Sequence, residues 1–277
     1  MRLATIRRAD GSTRAARVDD DTLTLLDDAD VGALVASGDD WQARAAAATG
    51  ARLALADATL ATLVPRPPKV WCVGLNYANH IAEMGREAPS HPTLFAKYAL
   101  ALTGPHDPIE IRPTAGNVDW EVELGVVIGR RGRDVALEDA LDHVAGYTVI
   151  NDVSMRQWQS RTMQFLQGKT WERATPVGPW MVTPDELPAG GAGLRVRTTV
   201  DERVMQDDST AELLFDVAHL VAYVSAIASL EPGDLIATGT PGGVGAGMKP
   251  PTFLQPGQTL RTWIEGIGEL VNPIVAG

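Results

Sequence analysis

Apolar positions along this chain fall into short blocks separated by turn residues, a pattern that predicts strands rather than long helices. The blocks are KVWCVGLN (69–76), DWEVELGVVIG (119–129), GYTVINDV (146–153), VGPWMVT (177–183), LRVRTTVDERV (194–204), DLIATGT (234–240) and the tail TLRTWIEGIGELVNPIV (259–275). β-Branched and aromatic residues are frequent in them, as a pleated surface favours. Near the start, LATIRR and RAARV read as a hairpin turned at Ala9-Asp10-Gly11-Ser12. Residues 29–63 are Ala-rich with helical spacing and predict two or three short helices. The rigid, extended Val64-Pro65-Arg66-Pro67-Pro68 then marks a boundary. It separates a small N-terminal α+β domain (1–64) from a larger, predominantly β domain (65–277). One longer helix interrupts the strands. Ser209-Thr210-Ala211-Glu212 has the form of a capping box, and Leu213, Leu214, Val217, Leu220, Val221, Val224 and Ile227 make one apolar stripe behind it. His219 lies off the centre of that stripe and reads as a helix histidine without chemistry. Strands without regular helical crossovers imply a mixed sheet in an α+β fold, not a doubly wound one.

Composition narrows the function classes. With 277 residues, 45% apolar and 21% charged, the chain has the make-up of a globular protein and can bury a core without cross-links. Cys72 is its single cysteine, so neither an internal disulfide nor a cysteine-based zinc site is expected. The net charge of −11 argues against a nucleic-acid partner and against an anionic membrane surface. A small anionic substrate stays open, because local cations can override the global sign. The longest apolar stretch, Leu220–Leu230, is too short for a bilayer span of about 20 residues. The first residues, MRLATIRRADGSTRAARV, lack the apolar run of a secretory leader, so a cytoplasmic location is expected.

Three familiar motifs fail. GKT at Gly168–Thr170 invites a P-loop, but Met163 stands where the loop needs its first glycine. Gly239–Gly247 (GTPGGVGAG) fits no dinucleotide-binding register, and Lys249-Pro250-Pro251 blocks a following helix. No G-x-S-x-G elbow occurs.

A constellation of polar residues does not fail. Glu121 and Glu123, at i and i+2 on a strand, face the same way, with Asp119 expected on the same face. Asp152 ends another apolar strand. Carboxylates that converge without a cation repel one another and raise each other's pKa. A hard divalent ion removes that conflict, and an oxygen-only ligand set suits Mg²⁺ or Mn²⁺, with Ca²⁺ as a further oxygen-seeking choice. His80 and Glu83 share a face if Ala78–Met84 is a short helix, and a carboxylate beside an imidazole fixes its tautomer and raises its basicity. Such a pair can draw a proton from water or from a substrate carbon. The Gly/Pro-punctuated Met84–Pro89 that follows has the make-up of a lid. Arg156 and Gln159 fall three apart, and Lys169 follows in QGKT; the two cations can receive a carboxylate or an enolate oxygen. Thr240 sits in GTPGG, where small residues let a ligand approach the backbone.

Taken in order, GLNYANHIAE (74–83), DWEVELGVVIG (119–129), AGYTVINDVSMRQWQ (145–159), GKTWERATPVGPW (168–180) and LEPGDLIATGTPGGVG (230–245) resemble the fumarylacetoacetate hydrolase superfamily, in particular its short bacterial members. The resemblance runs from about Val64 to Val275. It implies a mixed β-sandwich roll, usually dimeric, with a divalent metal at Glu121, Glu123 and Asp152. It also implies a catalytic His80–Glu83 dyad on a lid that orders with ligand. Lys169, Arg156, Gln159 and Thr240 would contact substrate or its oxyanion, with Tyr77 lining the site and Lys97 near it. Gln157 stands where family members often carry an acid, and GKTWE where they often have GK-x-F-D; both departures touch substrate contacts, not metal chemistry. The first reading is a metal-dependent hydrolase cleaving a C–C bond in fumarylpyruvate- or acylpyruvate-like keto acids. The alternatives are decarboxylation of β-keto acids such as oxaloacetate, isomerisation of 5-carboxymethyl-2-hydroxymuconate-type acids, or a non-catalytic keto-acid-binding protein. The expected partner is a small anionic keto acid, and the expected assembly a homodimer.

Overall fold

The computed structural model describes residues 1–277. Its main layer is a mixed sheet in which the strands expected around the site lie side by side. Thr175–Val182, Val144–Asn151, Val122–Ile128, Leu235–Ala237, Val70–Gly74 and Thr93–Lys97 follow one another in that order. The Val122–Ile128 strand runs through the middle and is buried on both faces, which explains its continuous apolar sequence. Four antiparallel strands of the N-terminal segment extend the same sheet, because Arg2–Arg7 pairs with Thr175–Val182. A second sheet orders Arg203–Ser209, Arg195–Val200, Thr259–Ile264, Gly268–Ala276 and Ile109–Ile111. Leu124, Val126 and Val149 of the first sheet pack with Val196, Ile264 and Leu270 of the second and with Val217, Leu220, Val221 and Val224 of a helix. The fold is thus α+β and predominantly β, two sheets facing across a shared core. No helix is long and apolar enough to cross a membrane.

Several elements differ from their sequence patterns. LRVRTTVDERV is not one strand but a tight hairpin, Arg195–Val200 paired with Arg203–Ser209, turned where Asp201 takes a positive φ of 53°. Aspartate tolerates that region better than most side chains do. The Ser209 hydroxyl does cap, accepting from the Ala211 N–H, but it starts only a short 3₁₀ turn. The α-helix begins at Val217 with Asp216 as its N-cap, so Leu213 and Leu214 lie outside its stripe. Of the Ala-rich 29–63 stretch, only Val31–Val35 and Trp41–Ala47 are α-helical; Arg52–Ala54 and Thr59–Leu60 are strands. Edge pairing to neighbouring strands overrides helix propensity there.

Asp107 ties the N-terminal strands to the rest. Arg7 donates to it in a fork, at 3.0 and 2.7 Å, and Thr103 and the Gly104 N–H add two more bonds. Burial alone would raise the Asp107 carboxyl, but the hydrogen bond from Arg7, the Gly104 N–H and the charge of Arg7 bring it down to about 2. A folded pKa below that of the unfolded chain gives stability that is present above pH about 4 and lost as pH falls toward 2. Allowing for partial screening, Asp107→Asn is expected to cost about 1–2 kcal/mol at pH 7. Urea unfolding at pH 7, 4 and 3 checks this: the gap to wild type holds between pH 7 and 4 and shrinks by pH 3, and a gap unchanged at pH 3 would refute the assignment.

Candidate active site

The site is built where two strands end together. Val122 pairs with Asn151 and Glu123 with Ile150, so the residues just outside each strand, Glu121 and Asp152, come into contact. The Asp152 N–H donates to the Glu121 carbonyl at 2.9 Å, and the Asn151 side-chain oxygen accepts the Glu121 N–H at 3.0 Å. This zipper brings Glu121, Glu123 and Asp152 together, with one oxygen of each within 4.8 Å of the others. Asp119 departs from the expected common face. The strand breaks at Trp120-Glu121, and Val118–Asp119 pairs separately with Ser154–Met155. The Asp119 carboxylate turns away, accepting the Gly245 and Ala246 N–H groups at 2.7 and 2.9 Å and Arg156 Nε at 2.8 Å.

Three cations meet these acids. Lys169 Nζ donates to Glu121 Oε2 at 2.6 Å and to Asp152 Oδ2 at 2.8 Å. Lys97 Nζ lies 2.6 Å from Asp152 Oδ1, a charge contact rather than an aligned hydrogen bond, and also donates to the Lys169 carbonyl. Arg156 Nη1 lies 2.6 Å from Glu121 Oε1 and donates to Gln159 Oε1 at 2.9 Å. Four buried acids (Asp119, Glu121, Glu123, Asp152) therefore face three cations, one negative charge in excess.

The acids divide the cations unequally. Burial would push the Glu121 carboxyl up, but Lys169, Arg156 and His80 outweigh it and hold it at about 2. Glu123 goes the other way: burial, then the charges of Asp152 and Glu121, push it well above the carboxylate range. Its opposing partners are Lys169 and the Gly239 N–H, which donates to Glu123 Oε2 at 2.8 Å. Burial would lower Lys169, yet Asp152 and Glu121 raise it, so it stays charged. This donor set fits a hard divalent cation: three carboxylates, no nitrogen or sulfur, and one acid short of positive charge.

The dyad stands at the rim. Ala78–Glu83 is a short helix, as the spacing predicts, and His80 Nδ1 lies 3.5 Å from Glu83 Oε2. Glu83 is itself held, since the Gly243 N–H reaches both its oxygens at 3.1 Å. A Cβ on Gly247 would come within 2.3 Å of the Glu83 carboxyl carbon, so only glycine leaves room for this acid. The run Gly239–Ala246 thus serves four acceptors. Its N–H groups reach Glu123, the Asn79 side chain, Glu83 and Asp119. Gly239 and Gly243 take φ of 101° and 97°, which aims successive N–H groups at different partners.

A cavity of about 1010 Å³ opens over the triad. His80, Glu121, Glu123, Arg156, Gln159, Lys169 and Thr240 line it. Asp152, Lys97 and Glu83 sit behind that lining and hold it. Tyr77 does not line the cavity: it is almost fully buried at the N-terminus of the short helix, bridged to Leu213. Unforeseen in the sequence are Asp119 as an anchor, the N–H donors of the glycine run, and two arginines on the cavity wall, Arg86 and Arg161. The glycine spacing was visible, but nothing in it specified carboxylates as the acceptors.

A family model described as "Fumarylacetoacetate (FAA) hydrolase C-terminal" matches residues 69–275. The mitochondrial oxaloacetate tautomerase FAHD2A of Bos taurus is 44% identical over 221 residues, 79% of this chain and 70% of that protein. The structure of 5-carboxymethyl-2-hydroxymuconate delta-isomerase from Mycobacterium smegmatis is similar at a TM-score of 0.81, with 35% identity over 100% of each chain. Maleylpyruvate hydrolase from Sphingobium sp. SYK-6, solved with manganese(II) and pyruvate, is similar at a TM-score of 0.81, with 30% identity, also over 100% of each chain.

The charge balance gives a test independent of turnover. Lys169→Met leaves Glu121 and Asp152 facing each other without their shared cation, and is expected to cost about 3–5 kcal/mol. Asp152→Asn in the same chain should recover part of that loss. Guanidinium unfolding of chelator-treated protein measures both; a Lys169→Met variant as stable as wild type would show that Lys169 balances nothing.

Proposed function

Because the chain belongs to the fumarylacetoacetate hydrolase family, whose members matched here are enzymes, we propose that it hydrolyses the C–C bond of an acylpyruvate-type 2-oxo acid in a divalent-cation-dependent reaction. The observation that carries the reading is the His80–Glu83 pair, clamped through Gly243, at the rim of a cavity floored by Glu121 and Glu123, with Asp152 directly behind them. Those three acids would hold Mg²⁺ or Mn²⁺, which supplies Lewis-acid polarisation of the 2-oxo group when bound.

The chain's own groups do the rest. Arg156 Nη2 is buried and has no protein partner, so it offers a charge-assisted bond to the substrate's C1 carboxylate. Lys169 spends two of its three N–H bonds on Glu121 and Asp152, and the third is free for an enolate oxygen. His80 presents Nδ1 to Glu83, leaving Nε2 to take a proton from water. The resulting hydroxide adds to the acyl carbonyl, the C–C bond breaks, and its electron pair leaves as the enolate of pyruvate. The proton held on His80 then returns to the enolate carbon, giving pyruvate and a carboxylic acid. The apolar walls, Phe95, Phe165 and Phe253, keep bulk water from competing.

The distal part of the cavity selects an acidic acyl group. Arg86 and Arg161 line it and neither is paired with an acid, in a chain of net charge −11. Arg161 instead stacks 3.4 Å over the Trp158 ring, which fixes its guanidinium. A second carboxylate on the substrate, as in fumarylpyruvate, would meet them. A second reading, keto–enol exchange of a dicarboxylic 2-oxo acid, is favoured by the 44% identity to the bovine oxaloacetate tautomerase. It needs the same proton transfer by His80 but no attacking water.

Turnover of fumarylpyruvate, acetylpyruvate and enol-oxaloacetate with Mg²⁺ or Mn²⁺ tests both. Pyruvate should be released from fumarylpyruvate, and His80→Ala should lower kcat by roughly 10²–10⁴, the usual effect of losing a positioned acid–base group. Arg161→Met should raise KM for fumarylpyruvate more than for acetylpyruvate. No pyruvate from either acylpyruvate, with fast decay of enol-oxaloacetate, would replace the first reading with the second.

A further inference from the structure

Gln206 lies outside every motif that carries the reading above, yet it is wired to the site. It sits on the Arg203–Ser209 strand and is 1% exposed. Its Oε1 accepts the Val122 N–H at 3.0 Å and the Thr198 hydroxyl at 2.9 Å. Its Nε2 donates to the Pro241 carbonyl at 2.9 Å and to Thr240 Oγ1 at 2.7 Å. The amide orientation is not a matter of choice. A backbone N–H can only donate and a backbone carbonyl can only accept, so Val122 and Pro241 together fix which end of the amide is oxygen and which is nitrogen.

The consequence falls on Thr240. Its hydroxyl has one proton and must accept from Gln206, so the proton cannot point toward Nε2. Thr240 Oγ1 donates to no protein acceptor, and the residue lines the cavity at 3% exposure. We propose that Gln206 is a positioning residue that compels Thr240 to present its hydroxyl proton to the cavity, making it a preset donor to a carboxylate or enolate oxygen of the ligand. Preset donors cost no reorientation when charge develops on that oxygen. The inference rests on the proposed use of the cavity for a 2-oxo acid, and it explains why a buried amide, costly unless fully bonded, stands here with all its groups satisfied.

A structural bridge between Val122 and the Pro241 turn would need the same amide, so the test must separate the two roles. Gln206→Glu puts an acceptor where Thr240 now finds a donor and turns the hydroxyl proton inward. Thr240→Val removes the hydroxyl at equal size, and Thr240→Ser keeps it. Oxalate, which resembles a pyruvate enolate in charge and shape, is the probe, with its affinity read by calorimetry in Mn²⁺-loaded protein. Gln206→Glu and Thr240→Val should each weaken oxalate at least tenfold. The double variant should bind no more weakly than either single one, and Thr240→Ser should stay within a few fold of wild type. Should Gln206→Glu fail to fold, Gln206→Leu, which also lacks the donor, enters the same cycle with the same expectation. Unchanged oxalate affinity in the Gln206 variant, or losses that multiply in the double variant, overturns the proposal. Wild-type protein that binds oxalate but turns over no acylpyruvate or oxaloacetate defeats the functional reading and leaves the cycle decisive. Wild-type protein that does not bind oxalate defeats both.

Discussion

Burying four carboxylates in one corner of a β fold is the constraint on which the rest of this structure depends. Each ionised acid taken out of water costs several kcal/mol unless it is paired and hydrogen-bonded. Lys97, Lys169 and Arg156 supply that pairing, and they arrive from three separate places in the chain: the end of the Thr93–Lys97 strand and two short helices, Arg156–Gln159 and Leu166–Lys169. The strand order of the main sheet follows a geometry that delivers them. Glu121 and Asp152 meet because their strands are neighbours, and Lys97 reaches Asp152 from the far edge strand, past the ends of Val70–Gly74, Leu235–Ala237 and Val122–Ile128. The cations fall one charge short, and the shortage is concentrated on Glu123, which burial and its neighbouring acids push well above the carboxylate range.

The Gly239–Ala246 run is the second organising feature. Its N–H groups hold one acid of the triad, the dyad glutamate, the side chain at the start of the short helix and the Asp119 anchor of Arg156. A single loop therefore sets the relative positions of the dyad, the triad and the cation facing the substrate. Asn79 adds a tether from the other side, donating to Asp208 on the same strand as Gln206. Shifts in this loop would be felt by all of these groups together, so its residues act as a unit and their substitutions should not be additive.

Much of this was legible in the sequence, and the reasons are physical. Strand periodicity located the central strands within a few residues, because buried β segments carry dense apolar runs bounded by turns. Glu121, Glu123 and Asp152 stood out because acids do not interrupt such runs without compensation. The i, i+3 spacing of His80 and Glu83 needed only one turn of helix, and that turn is present. Asp119 was misplaced because strand alternation was carried across Trp120-Glu121, where the strand breaks and the indole instead donates to the Gly243 carbonyl. Gln206 was invisible, since its partners Val122, Thr198, Thr240 and Pro241 are brought together only by the two sheets. The false start of the helix at Ser209 has a similar cause: the cap is real, but Leu213 bridges to Tyr77 instead of continuing a helical turn.

Glu121, Glu123 and Asp152, three carboxylates with too few cations to match, form a set that could hold one hard divalent cation. Titration of chelator-treated protein with Mn²⁺, followed by the electron paramagnetic resonance signal of the free ion, measures it directly and without turnover. One Mn²⁺ should bind per chain and be displaced by excess Mg²⁺, and Glu123→Ala should lose that binding while circular dichroism shows the fold retained. Wild-type protein that leaves all the Mn²⁺ free, or a Glu123→Ala variant that binds it as tightly as wild type, would show that these acids are not a cation site.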